Sequence, residues 1–206
     1  MPDFQVVPVP EKLTAHALVF GGDSCQKNYW LPRIATGESI GVPALFEATD
    51  RLDSAGITTQ LQKKNGNLVL NGSKMFVPFA RLADFFLVAA RTAGQHSRNV
   101  SLVLVEKGHP GVKIEPLQTF DVTRSVCKVD LTDVPVSGFL GKQDEAWDLI
   151  TSVHDLACVS LSADSLGGAE RVLEMAVEYT KTREQFGRPI ASFQALKHMA
   201  AEMVSE

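Results

Sequence analysis

The chain has 206 residues, enough for one large domain or two small ones. Apolar residues make up 45% of it and charged residues 21%, a balance that suits a globular protein and argues against disorder. A formal net charge of −4, with no run of Lys and Arg interleaved with aromatics, argues against nucleic acid as a partner.

The N-terminal stretch MPDFQVVPVPEK lacks a basic start followed by a sustained apolar run, so no signal peptide is expected. No segment approaches the roughly 20 apolar residues that cross a bilayer. Cys25, Cys127 and Cys158 lie far apart without C-x-x-C spacing, and the five histidines are equally dispersed. That usage fits reduced core thiols in a cytoplasmic protein and gives no metal site.

Residues 11–29 offer helical material, with Leu13, Ala17 and Phe20 on one face and Gly21-Gly22 as an interruption. A short helical turn follows from Trp30, closed by Gly37. From residue 42 the period changes. Segments 57–64 and 68–77 are strand-like, and Asn65-Gly66 between them is a strong hairpin signal because both residues tolerate φ > 0. Asn71-Gly72 is a second turn candidate. Further strands are expected at 85–90, 102–105, 112–116 and 125–134, the last alternating Cys127, Val129 and Leu131 with Lys128, Asp130 and Thr132. Strands at this spacing point to an antiparallel β-barrel or sandwich.

After Gly141 the pattern turns helical. Trp147, Ile150, Val153, His154 and Ala157 form one stripe, continued past Leu161 and Leu166 to Val177. Gly167-Gly168 in that helix costs roughly 1 kcal/mol per residue against Ala, so another helix is expected to approach closely there. Residues 179–203 read as two helices joined by a tight corner. Gly187-Arg188-Pro189 breaks the first, and Ser192 is the expected N-cap of the second. Phe193, Leu196, Met199, Ala200 and Met203 form the apolar stripe of that second helix. Arg183, Gln185 and Gln194 beside Phe186 make a corner able to hold an anionic ligand with a planar ring.

Arg183-x-Gln185-Phe186-Gly187-x-Pro189-Ile190-x-x-Phe193-Gln194, followed by Met199-Ala200-Ala201-Glu202-Met203, resembles the C-terminal signature of the acyl-CoA dehydrogenase family. The resemblance implies that Arg183, Gln185, Phe186 and Gln194 reach across a subunit interface to the diphosphate and adenine end of FAD. It covers the chain from about Trp30 onward. It implies an α+β fold: a remnant of an N-terminal helical domain at 1–41, a middle β domain at 42–141, and the start of a C-terminal helical bundle at 142–206. Most of the N-terminal domain is expected to be missing, which leaves its partner surface uncovered.

Two further stretches carry the likeness. The run from Ala44 through Leu45, Phe46, Glu47 and Ala48 to Arg51, Leu52 and Asp53 is similar to the family's flavin loop, whose backbone N–H groups approach the flavin pyrimidine and diphosphate. Glu47 and Asp53 match; Phe46 stands where the family has Thr, and Leu52 where it has Ser. Asn71-Gly72-x-Lys74-Met75-Phe76-Val77-Pro78 resembles the strand that presents an aromatic to the flavin, with Pro78 in place of a Thr hydroxyl. Leu45, Phe46, Leu52, Phe76, Val77 and Pro78 are therefore the expected flavin contacts. Asp121-x-Thr123-Arg124 is similar to a structural corner in which Arg and Asp hold adjacent loops.

The resemblance implies flavin-dependent α,β-dehydrogenation of an acyl-CoA thioester, an electron-transfer flavoprotein as electron acceptor, and an oligomer. A carboxylate must remove the α-proton. Where some members carry it, this chain has Ala157 followed by Cys158, and most other members carry it nearer the C-terminus, past the position of Glu206, so the base is not expected within these residues; Asp155 matches a residue that contacts the acyl-CoA in some relatives. A different class, a non-catalytic partner subunit of a heteromer or an inactive fragment, is the alternative, motivated by Phe46, Leu52, Pro78 and Ala157.

Overall fold

The computed structural model describes residues 9–49, 51, 53–92 and 99–205. They divide into two compact units, one ending at Ala157 and one beginning at Cys158.

The first unit opens with α1 (Val9–Gly21) and α2 (Ser24–Ala35). Asp23 starts α2 through a capping box: its carboxylate accepts from Gln26 N–H at 2.7 Å, and the Gln26 side chain accepts from Asp23 N–H at 3.0 Å. The expected turn at Trp30 is the second half of α2. On α1 the buried face centres on Thr14, Ala17 and Leu18. At 100° per residue that leaves Phe20 on the rim, 58% exposed, rather than grouped inside with Leu13 and Ala17.

Eight strands follow: β1 (Gly41–Ala44), β2 (Gln60–Lys64), β3 (Asn67–Pro78), β4 (Phe85–Thr92), β5 (Ser101–Glu106), β6 (Val112–Pro116), β7 (Val126–Pro135) and β8 (Gly138–Leu140). They form one sheet in the order β6-β7-β3-β2-β4-β5-β8, with β1 added beside β4. Most pairings are antiparallel, as expected; β1–β4 and β2–β4 are parallel. The sheet is not closed into a barrel, because β6 and β8 end the hydrogen-bonded path. The Asn65-Gly66 hairpin is present, with Lys64 opposite Asn67 and φ of 50° and 85° at the two turn residues.

Strand β4 explains the architecture. Its residues from Phe85 to Ala90 are all buried. Phe86, Val88 and Ala90 join Leu70, Val77, Cys127, Val129 and Leu131 in one core. Phe85, Leu87 and Ala89 join Ala17, Leu18, Ile34, Ile150 and Val153 in another. A strand covered on both faces reads as a continuous apolar run rather than an alternation.

Asn71-Gly72 is no turn. It lies inside β3 at a register shift against β7, and a Cβ on Gly72 would sit 2.6–2.8 Å from Thr59. Glycine is there for room against the neighbouring strand.

The long helix α3 (Trp147–Thr182) runs on through Gly167-Gly168. A Cβ built at either glycine meets nothing within 4 Å, so no close helix approach occurs there among the described residues. Within α3, Ile150, Val153 and Ala157 are buried, whereas none of residues 158–205 is.

In the second unit the remainder of α3 is followed by a small hairpin, β9 (Glu184–Gln185) and β10 (Arg188–Pro189). Phe186 and Gly187, with φ of 55° and 72°, make its turn. A single 3₁₀ turn (Ile190–Ser192) precedes α4 (Gln194–Ser205). Ser192 thus ends the 3₁₀ turn and does not cap α4.

Candidate functional site

The loop after β1 is tied to β3 by charge. Glu47 is 7% exposed and Lys74 fully buried, with Lys74 Nζ 2.6 Å from Glu47 Oε1. The other lone pairs of Glu47 are also used: Thr58 N–H donates at 2.9 Å, Thr59 N–H at 3.0 Å, and the Thr58 hydroxyl donates as well. Lys74 also reaches the Leu45 carbonyl at 3.4 Å. One step along the strand, Met75 N–H donates to the Phe46 carbonyl at 2.9 Å. Loop residues 45–47 therefore lie against residues 74–75 of β3. Sequence reasoning missed this pair; the signal was a lysine in mid-strand, which needs a partner once that position is buried.

Burial pushes the Lys74 ammonium down to about 8, against the pull of Glu47. Burial raises the Glu47 carboxyl, but the Lys74 charge and the hydrogen bonds from Lys74, Thr58 and Thr59 outweigh it and hold Glu47 below its ordinary value.

The rest of the loop is fixed from two sides. Arg51 grips Asp53 bidentately, at 3.0 and 2.5 Å, and holds its carboxyl below the usual range. Asp53 also accepts from Gly56 N–H, capping the 3₁₀ turn Ser54–Gly56. Arg91, from β4, donates Nε–H to the Ile57 carbonyl at 3.1 Å and also donates to the Ser54 carbonyl.

Against this frame the expected flavin contacts separate into groups. Phe76 is held out by the backbone: its φ is +56° at an irregularity in the β3–β7 pairing, and its ring is 59% exposed. A bulky residue rarely adopts that conformation, and such strain gathers at ligand sites. Phe46 is 39% exposed and Leu45 half-buried. Pro78 closes β3 opposite Val126 and is half-buried. Val77 points into the core at 1% exposed, so its side chain is not part of the surface. Leu52 lies outside the described residues.

Between the loop and α3 is a cleft with an apolar floor of Leu45, Ile57, Ala89 and Ile150 and a rim that includes Arg51, Thr151 and His154. The carboxylates that line it, Glu47 and Asp53, are both ion-paired. Asp155 is exposed and outside the lining; its neighbour His154 takes that place. Ala157 is buried and carries no ionisable group. No group of three or more His, Cys, Asp or Glu among those residues could hold a metal ion.

In the second unit Arg183, Gln185, Phe186 and Gln194 are all exposed, around the β9–β10 hairpin and the first residue of α4. Phe186, at the turn, is 90% exposed and meets Phe193 edge to face at 6.0 Å, while the Arg188 guanidinium lies 4.3 Å over the Phe193 ring. Arg188 is thus an aromatic contact that sequence reasoning had not singled out. The Asp121 corner is closed within its own loop, the carboxylate accepting from Thr123 N–H and hydroxyl at 2.9 and 2.5 Å with Arg124 at 3.8 Å, rather than bridging to a neighbouring loop.

Two family models match the chain: the acyl-CoA dehydrogenase middle domain over residues 44–134 and the acyl-CoA dehydrogenase C-terminal domain over 146–206. An acyl-CoA dehydrogenase of Bacillus subtilis is 31% identical over 205 residues, covering 97% of this chain and 54% of the relative. Butyryl-CoA dehydrogenase from Megasphaera elsdenii superposes with a TM-score of 0.89 at 28% identity, over 96% of this chain and 53% of that one. A glutaryl-CoA dehydrogenase from Mycobacterium smegmatis, solved with FADH2, gives a TM-score of 0.84 at 26% identity, over 96% and 52%. The chain spans about half the length of the relatives it matches.

Proposed function

The chain belongs to the acyl-CoA dehydrogenase family, and from that premise we propose that it serves flavin-dependent α,β-dehydrogenation of an acyl-CoA thioester to the trans-2-enoyl-CoA. The observation that carries this reading is Phe76, a strained and exposed ring on a strand locked to the loop that bears Phe46. The residues present fit a planar cofactor: two exposed rings, with the Glu47 carboxylate buried against Lys74 and the Asp53 carboxylate paired with Arg51. FAD bound there would accept the β-hydride of the substrate and pass electrons to an electron-transfer flavoprotein.

Leu45, Phe46, Leu52, Phe76 and Pro78 would hold the ring end, Val77 contributing backbone alone. Arg183, Gln185, Phe186 and Gln194 would contact the nucleotide tail of a cofactor on a neighbouring subunit of an oligomer. Pro78 has neither a hydroxyl nor an N–H to offer the ring. Asp155 would touch bound acyl-CoA from the solvent side of α3. We place the protein in the cytoplasm, where its cysteines remain thiols.

A second reading, a partner subunit that lends half a cofactor site, is favoured by one observation: the cleft's carboxylates are committed to ion pairs and Ala157 is buried. The visible spectrum of the purified chain separates the two. Bound flavin that bleaches on adding acyl-CoA supports the enzyme; a colourless protein that gains flavin only with a partner supports the subunit. A protein that takes up no flavin in either setting refutes both.

A further inference from the structure

We propose that the buried Lys74–Glu47 pair acts as a positioning device, fixing Phe46 and Phe76 in one preset aromatic edge for a planar ligand. The proposal rests on the flavin reading and assigns a role to two residues that touch no ligand themselves.

The connection is local and complete. Glu47 belongs to the loop, where Thr58 and Thr59 hold its carboxylate from the chain that follows. Lys74 belongs to β3, and its ammonium spans from that carboxylate to the Leu45 carbonyl. The two rings sit directly beside these residues in sequence: Phe46 precedes Glu47, and Phe76 stands two positions after Lys74. Met75 N–H, between Lys74 and Phe76, donates to the Phe46 carbonyl. Breaking the charge link therefore leaves that one backbone hydrogen bond as the remaining polar tie between residues 45–47 and 74–75 among those described.

A fully buried ammonium is an expensive way to fasten a loop if stability were the sole end, since an apolar pair of similar volume serves as well or better. What a short charge-assisted hydrogen bond adds is a fixed distance and direction. Exposed rings on a loop otherwise sample several rotamers, and a binding site loses affinity for each one that must be frozen.

The test compares the full chain with K74M/E47Q, which removes both charges together; the side-chain amide oxygen introduced by E47Q takes the place of the oxygen that accepts from Thr58, and Thr59 N–H loses its acceptor. A control, K64M/D133N, removes the exposed Lys64–Asp133 pair near the β2–β3 hairpin. Two readouts are taken: FAD affinity by flavin fluorescence, with the partner subunit present if the chain needs one, and exchange of the Met75 amide. The expected result, measured well below the melting temperature of each protein, is roughly 10-fold weaker FAD binding and roughly 10-fold faster Met75 exchange in K74M/E47Q, with the control unchanged in both. Unchanged Met75 exchange overturns the proposal. So does faster exchange with unaltered FAD affinity. Failure of the wild-type chain to bind FAD refutes the proposed function instead, and the amide exchange still shows whether the pair fastens the loop.

Discussion

Replacing Lys74 alone by Met removes the ammonium and leaves the Glu47 carboxylate inside the protein with only neutral donors. Glu47 is 7% exposed and Lys74 completely buried, so water cannot substitute for the lost partner. Breaking a buried pair from one side costs about 3–5 kcal/mol. For a domain of this size each kcal/mol moves Tm by about 2–4 °C, so a fall on the order of 10 °C is expected at pH 7. The pH dependence identifies the cause. In the wild type the Glu47 carboxyl lies below its ordinary value, so its stabilising contribution is present above about 4.5 and is lost as pH falls through the folded-state value. In K74M the unpaired carboxyl is raised instead, and its penalty vanishes as pH falls towards the unfolded value. Each unit of that upward shift returns about 1.4 kcal/mol. The Tm gap between wild type and K74M, followed by thermal denaturation from pH 7 to pH 4, should therefore narrow steadily. A gap that stays constant over that range refutes the reasoning, because lost packing of the lysine stem would be insensitive to pH.

The ammonium of Lys74 should titrate near pH 8, well ahead of surface lysines, when ¹³C-labelled lysine is followed by NMR; a midpoint above 10 would mean that burial does not dominate there. Gly72→Val should destabilise the chain by about 1–3 kcal/mol in urea melts by forcing a side chain into Thr59, and T59G should recover part of the loss. Leu166, Val172, Met175, Tyr179, Met199 and Met203 are all exposed, and none of residues 158–205 is buried, so the chain should associate or aggregate in size-exclusion chromatography. Val172→Ser with Met175→Ser should weaken that association, whereas a well-behaved wild-type monomer would count against it.

Where local rules act alone, the sequence was a good guide. Asn65-Gly66 needed only two residues tolerant of positive φ, and the hairpin has the expected register. The alternation at Cys127, Val129 and Leu131 marked a strand with one face in the core. Tertiary context overrode the local signal elsewhere. Asn71-Gly72 carries the same dipeptide, yet Thr59, just before β2, needs the room that a turn would not provide. Strand β8 was hidden because three residues, Gly138, Phe139 and Leu140, become a strand only when β5 offers its edge. On α1, the choice between two nearly equal helical faces turned on where the second core lies, which left Phe20 outside.

The candidate site shows the same division, and it bears on which function the chain performs. Glu47, Asp53 and Lys74, the charged residues shared with the family's motifs, are the ones that fix the loop and its turn. Among the departures from the motifs, Phe46, Pro78 and Ala157 fall at positions that the proposed function assigns to the ligand or the base, whereas Arg51, in place of a Gly, pairs with Asp53 and helps hold the loop. Backbone ties such as Met75 to Phe46 tolerate those replacements because they ask nothing of the side chain. A scaffold kept while the groups around the ring change is what a shifted chemistry or a lent half-site requires, and a chain drifting without constraint gives no reason to keep a fully buried lysine facing its carboxylate. The expense of burying Lys74 thus argues that the loop's geometry still serves a ligand, whether the chemistry is completed within this chain or by a partner.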